Sequence, residues 1–255
     1  MSNISSNSLF HFTPKREYLL NILRQTFVPR YCFEEIQLSD QLKREKFESA
    51  IPMVCFCDIS LSQISNHIKT YGEYGIGMTK EWGIRNKLNP IIYINPNSNV
   101  SESISKLAES VYQALDKYCG EVTKGISDEF MNLSNFLKPY KGNFKRGDKI
   151  YKNVRFYNER EWRYVPKIEF DSDVGNYLDK SHYSKPEVLQ EENAKLLDYR
   201  LGFKPKDIKY IFVKDDNEIH QMMTELRNIK QRFSPKEIDI LTSKIITTKQ
   251  IKEDF

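Results

Sequence analysis

Short runs of β-branched and aromatic residues recur along this chain, with amphipathic, helix-like stretches between them. That alternation restricts the chain to folds that mix sheet and helix. Leu9-Phe10-His11-Phe12-Thr13, Ile51 to Cys57, Tyr74 to Met78, Ile91 to Ile94 and Ile208 to Val213 all read as strands. Tyr18, Leu19, Ile22 and Leu23 space a helix entered through Thr13 as its cap and Pro14 in its first turn. A charged helix is expected over 34–48, and Ser60-Leu61-Ser62-Gln63 is a capping box opening a helix towards Tyr71. A short helix is expected around Trp82. From Ser101 to Tyr118 the residues Ile104, Leu107, Ala108, Val111 and Leu115 form a helical stripe. A further helix near 128–137 is expected to stop at Pro139, and 140–153 reads as a loop or short hairpin. Helix returns over 187–199 and ends at Gly202; Asp216 is placed to cap the next helix, and Ser234-Pro235-Lys236-Glu237 opens another. The expected fold class is α+β: a mixed sheet with surrounding helices, in one domain over 1–255 with a helical insertion at about 101–138.

At 255 residues the chain can bury a full core. Its net charge of +4 is too small an excess to point to nucleic acid by itself. Fifteen Tyr and fifteen Phe imply aromatic-lined cores and pockets. Gly is scarce, and no Walker loop or dinucleotide fingerprint is present. Cys55 and Cys57 fall on one face of a strand with no second pair, so no zinc site is expected, and the thiols are expected to be reduced. The polar N-terminus lacks an apolar signal core, and no run is long enough to span a bilayer. A cytoplasmic protein with no membrane partner and no metal is the expectation.

The richest segment chemically is Phe156-Tyr157-Asn158-Glu159-Arg160-Glu161-Trp162-Arg163-Tyr164-Val165-Pro166, which reads as one strand closed by proline. Alternation puts Glu159, Glu161 and Arg163 on one face and Asn158, Trp162 and Tyr164 on the other. Two carboxylates then stand about 7 Å apart, with a guanidinium beside the second. Either they form a salt-bridge ladder, or they project into a cleft and carry chemistry. His11 is a packing or edge residue unless other polar groups converge on it. His67 and Tyr71 share a helix face, and Gly72, Gly75 and Gly77 permit a sharp turn and close backbone approach. Tyr71 and Tyr74 are then either core residues or a platform that stacks on a planar ring. Asp58 is expected to support a helix N-terminus, and Cys57 has no evident base partner.

These segments together resemble a bacterial abortive-infection family, AbiGi, a phage-resistance group described as the antitoxin half of a toxin–antitoxin pair. The resemblance rests on Leu9 to Thr13, Ile51 to Ser62, His67 to Trp82, Glu159 to Val165 and Lys206 to Val213. A second resemblance links the same landmarks to ADP-ribosyltransferases of the DarT-like kind. Their His-x-Thr strand is matched by His11-Phe12-Thr13, their aromatic residue by Tyr71 or Tyr74, and their late-strand glutamate by Glu161, with Glu159 beside it. That resemblance implies an ADP-ribosyltransferase-like fold, with NAD as a substrate held by His11, Thr13, a tyrosine and Arg163. Glu161 or Glu159 would then stabilise the oxocarbenium-like charge on the ribose. The acceptor would be nucleic acid or protein. Three functions follow: an NAD-using effector in phage defence triggered by a phage component, a non-catalytic antitoxin or regulatory protein bound to a toxin partner, or a nuclease. The second reading expects the strand carboxylates to be paired off with arginines.

Overall fold

The computed structural model describes residues 5–37, 46–118, 120–146, 149–169 and 172–254. Its first strands and helices are β1 (Ser8–Thr13), α1 (Arg16–Gln25), β2 (Arg30–Gln37), β3 (Lys46–Cys57), α2 (Ser65–Tyr71), β4 (Tyr74–Thr79) and α3 (Lys80–Arg85). Next come β5 (Asn89–Pro90), β6 (Ile92–Ile94), α4 (Asn99–Lys117), α5 (Glu121–Ser134), β7 (Leu137–Pro139), β8 (Gly142–Arg146), β9 (Lys149–Val154) and β10 (Glu161–Tyr164). The chain ends through α6 (Lys180–Tyr183), α7 (Pro186–Lys195), β11 (Ile208–Val213), α8 (Ile219–Ile229), α9 (Pro235–Thr242), β12 (Ile245–Thr247) and α10 (Thr248–Asp254). The mixed α+β class expected from the sequence is the class observed. Contacts gather into two compact units: Met1–Pro29, Val54–Asn89 and Leu196–Phe255 form the first, and Arg30–Met53 with Pro90–Lys195 the second.

In the first unit the strand order is β12-β11-β4-β1, and β1 pairs with the end of β3 at Phe10 and Cys57. Antiparallel register sets Phe12 opposite Gly75 and Phe10 opposite Gly77. A Cβ at Gly75 would stand 2.7 Å from the Phe12 ring, and one at Gly77 would stand 3.0 Å from the rings of Phe10 and Tyr210. Glycine therefore makes room for aromatics on the neighbouring strand. Phe10, Phe12 and Phe212 bury there with Ile59, Ile64, Ile68 and Ile251. Each such side chain removed from water contributes about 1.5–3 kcal/mol. Alternation turns His11 to the other face, where its ring meets Phe27 and Phe56, and these pack on the fully buried Trp82. The indole nitrogen of Trp82 donates to the Gly202 carbonyl at 2.9 Å.

Local expectations shift in instructive ways. Thr13 ends β1 instead of capping α1, and its hydroxyl donates to the Lys15 carbonyl at 2.8 Å. Ser60 precedes a 3-10 turn over Leu61–Gln63, its hydroxyl meeting that of Ser62, and α2 starts only at Ser65. Asp215, not Asp216, caps the turn before α8. The Ser234 capping box forms as expected, with the Glu237 carboxylate returning to the Ser234 amide.

In the second unit the charged helix expected over 34–48 is replaced by an antiparallel pairing of β2 and β3, from Arg30 opposite Met53 to Gln37 opposite Lys46; 38–45 lie outside the described residues. The pairing sets Glu35 opposite Glu48, and Lys180 relieves that repulsion by reaching Glu48 at 3.0 Å. Tertiary pairing has overridden helix propensity there. The segment 156–166 is a strand only from Glu161. Phe156–Glu159 form a 3-10 turn, and Arg160 takes a left-handed conformation (φ 44°) that ends it. Helix α5 begins well before Asp128 and ends at Ser134, and Pro139 closes β7 instead of stopping a helix. Strands β6 and β7 are parallel, so the α4–α5 hairpin is the crossover between them. The stretch after Tyr140 forms the β8–β9 hairpin. Among the described residues no helix is long and apolar enough to cross a membrane.

Two measurements check this packing. Gly72 has φ +120°, and a Cβ there would sit 2.2 Å from the Thr13 carbonyl oxygen. Gly72→Ala should therefore cost about 3 kcal/mol in a urea melt. The second concerns Lys230, a buried residue whose amine donates to the Leu23 carbonyl and whose pKa is pushed down to about 8, by burial and then by Arg232. The unfolded chain holds that proton more tightly, so this group disfavours folding at pH 7 and the penalty fades as pH rises from 8 towards 10.5. Lys230→Met should gain most over the wild type, in Tm, at pH 7 and least above pH 10.

Candidate functional site

The charged residues of the second unit converge on β10. Glu161 and Arg163 are two apart on that strand and share a face, both buried. The Arg163 Nε donates to Glu161 Oε1 at 2.9 Å, Nη1 to the Asn135 carbonyl at 2.6 Å, and Nη2 to Glu34 Oε1 at 3.0 Å. Asn135 caps the C-terminus of α5, where a cation meets the negative end of the helix dipole. Lys138 supplies the second cation. Its Nζ reaches Glu161 Oε2 at 2.8 Å and Glu159 Oε2 at 3.1 Å, and it lies 4.9 Å from the centre of the Phe156 ring. Parallel register sets Lys138 beside Tyr93, whose hydroxyl accepts the Glu161 amide at 2.9 Å. Neighbouring strands thus deliver two polar groups to one glutamate.

The electrostatics follow from this crowding. Burial alone would lower the Lys138 pKa, but the carboxylates of Glu161, Glu34 and Glu159 outweigh it and hold the ammonium charged well above the usual lysine range. Burial, reinforced by Glu34, pushes the Cys32 thiol up to about 11, which removes it as a nucleophile at neutral pH. Burial likewise raises the Tyr93 phenol above its ordinary value. Among the described residues no group of three His, Cys, Asp or Glu is arranged to hold a metal ion.

The other sequence candidates lie in the first unit. His11 Nδ1 donates to the Cys55 carbonyl at 2.8 Å, and its ring edges Phe27. Tyr71 stacks on His67 with centroids 4.2 Å apart, packed against the Phe10–Phe12 cluster. His11 and Tyr71 therefore stand on opposite faces of the sheet. Tyr74 lies opposite Thr13 in register, and its hydroxyl donates to Glu218 at 2.8 Å. Burial and that bond push its pKa up to about 12. Asp58 does not support a helix N-terminus. It accepts from the Ser6 amide, the Ser5 hydroxyl and Lys80, each at 2.8 Å, and so ties the N-terminal segment down.

Comparison with known proteins bears on the whole chain. A family model described as "Putative abortive phage resistance protein AbiGi, antitoxin" matches residues 25–214. A curated protein of Lactococcus lactis subsp. cremoris, "Abortive phage resistance protein AbiGi", is 31% identical over 253 residues, covering 90% of this chain and 99% of its own length. The chain belongs to the AbiGi family. No solved structure matches it significantly. All residues of the ion network fall inside the segment matched by the AbiGi model, whereas His11 and Thr13 precede it.

Sequence reasoning found Glu159, Glu161 and Arg163 but missed Glu34, Lys138, Asn135 and Tyr93. Glu34 was hidden inside the expected helix. The alternation of buried Tyr31 and exposed Glu35 with buried Ile36 is too irregular to announce a strand. Lys138 precedes a proline in a three-residue strand, which carries almost no period signal.

Removing one partner from a buried network leaves uncompensated charge. Glu161→Gln should cost about 3 kcal/mol. The more exposed Glu159, which takes Lys138 at 3.1 Å, should cost about 1 kcal/mol or less as Glu159→Gln. Because the Lys138 pKa is raised on folding, its contribution is complete at neutral pH and is lost only as pH climbs beyond 10.5. Chemical denaturation of both variants at pH 7, and of the wild type across alkaline pH, checks these orderings.

Proposed function

We propose that this protein acts in phage defence as the antitoxin half of a two-protein system, binding a toxin partner instead of turning over a substrate. The observation that carries this reading is the state of Glu161. One of its oxygens receives Arg163 and the other Lys138. A transferase glutamate has to accept a ribose hydroxyl and face a developing cation, so its charge must be available in the transition state. Here that charge already serves the buried Arg163 and the half-buried Lys138, and releasing it would leave Arg163 to Glu34 and Lys138 to Glu159, breaking a closed network at several kcal/mol. The carboxylate strand then acts as scaffold. The description of the family as an antitoxin supports the same reading. A phage component that loosens the toxin–antitoxin complex in the cytoplasm is the trigger this reading calls for.

The competing reading, an ADP-ribosyltransferase-like effector that consumes NAD, makes the opposite demand on Glu161. Purified protein mixed with NAD should release no nicotinamide, with or without phage-infected lysate. Co-expression should restore growth to cells arrested by the partner toxin. NAD turnover that disappears in Glu161→Gln, at a temperature where the variant is still folded, would replace the antitoxin reading with the transferase one.

A further inference from the structure

All of the chain's positive excess sits in one hairpin. Residues 141–155 hold six lysines and arginines against one aspartate, a net charge of +5, and the rest of the chain sums to −1. These residues are the β8–β9 hairpin and its flanks, a two-stranded sheet to which no further strand is added among the described residues. Lys141, Lys152 and Arg155 are exposed, and among the described residues no carboxylate stands within salt-bridge range of any of them. Other lysines of the same unit find one, as Lys180 finds Glu48 and Lys195 finds Glu192. Arg155 instead lies 5.9 Å from the centre of the Tyr140 ring, which orients its charge without neutralising it. Register sets Arg146 opposite Lys149 at the turn end of the ribbon. Two cationic positions facing each other cost stability until an anion joins them.

Shape and charge density together select the occupant. Strand β9 spans about 20 Å, so the cations are spread along a rod. A protein surface intersperses both signs over such a length, whereas duplex DNA carries one negative charge per about 1.7 Å of its axis. The major groove of B-form DNA admits a two-stranded β-ribbon, while the A-form groove of duplex RNA is too narrow for one. A ribbon seated there has a row of phosphates on each side, so cations on both of its strands are in reach. The irregularity between Gly142 and Phe144, where Asn153 is left-handed at φ 56°, sharpens the right-handed twist of the ribbon, which is the hand of the groove. We infer that the β8–β9 ribbon binds double-stranded DNA, lying in the major groove with its lysines and arginines on the phosphates. The inference goes beyond the antitoxin reading and does not depend on it.

The test uses the full chain and a fluorescein-labelled DNA duplex of about 20 base pairs and mixed sequence, followed by anisotropy. Binding should weaken as salt is raised, with a log–log slope of about −4. Lys141→Ala and Lys152→Ala should each make that slope shallower by about 1 and weaken binding about fivefold at about 0.1 M salt. Their melting curves should not change, since both side chains are exposed. Lys236→Ala makes the same change of charge at an exposed position on α9 and should leave affinity and slope as they are. No duplex binding at about 20 mM salt, or an equal loss in Lys236→Ala, overturns the inference. So does displacement of the duplex by polyglutamate at equal charge concentration, which would make an acidic protein the occupant. Tighter binding to duplex RNA or to single-stranded DNA overturns it too, because the groove would then play no part. Failure to bind DNA leaves the antitoxin reading standing, since growth rescue tests that reading separately.

Discussion

The buried guanidinium of Arg163 is the interaction on which the second unit depends. A charge with no solvent exposure is costly to place, and it is tolerated only where hydrogen bonds meet its donors in the directions they point. Three elements that are distant in sequence supply them: the end of α5 through Asn135, β2 through Glu34, and β10 itself through Glu161. Lys138 then closes the system by bridging Glu161 and Glu159. Geometry of this kind is satisfied in one arrangement only. Apolar side chains would tolerate small slips between those elements, whereas a misplaced carboxylate would leave buried charge unbalanced.

The first unit reaches a defined structure by another route. Its core is aromatic, and glycines set opposite phenylalanines turn a strand pair into a slot for their rings. That solution is shape-dependent and almost free of charge, apart from anchors such as Asp58 with Lys80. One chain thus uses steric fit in one unit and electrostatic fit in the other. The sequence features that looked most like enzyme chemistry are distributed between the two, each absorbed into local packing or pairing.

Strands rich in Phe, Ile and Val were legible, as were the stripe of α4, the α+β class and the family. Periodicity and turn chemistry are local signals, and those elements follow local rules. Glu34 and Glu48 were not legible as strand residues, because their countercharges, Arg163 and Lys180, come from far along the chain. The turn at Arg160 was missed for a related reason. A left-handed arginine has no sequence signature, and the preceding aromatics resemble a strand. The residues that complete the ion network come from the ends of short elements, where patterns are weakest. Glu161 and Arg163 stood out by alternation, but their partners are matters of tertiary structure.

Strands β6 and β7 lie side by side and run in the same direction, with α4 and α5 between them. Parallel neighbours cannot be joined by a tight turn; the chain must travel back along their length before it can rejoin the sheet. Some long excursion is therefore compulsory at this point, whatever its outer surface does. The return path constrains the length and inner seam of that excursion but not its exterior. Whatever substitutions that exterior takes, Tyr93 and Lys138, at the two feet of the excursion, hold the same glutamate.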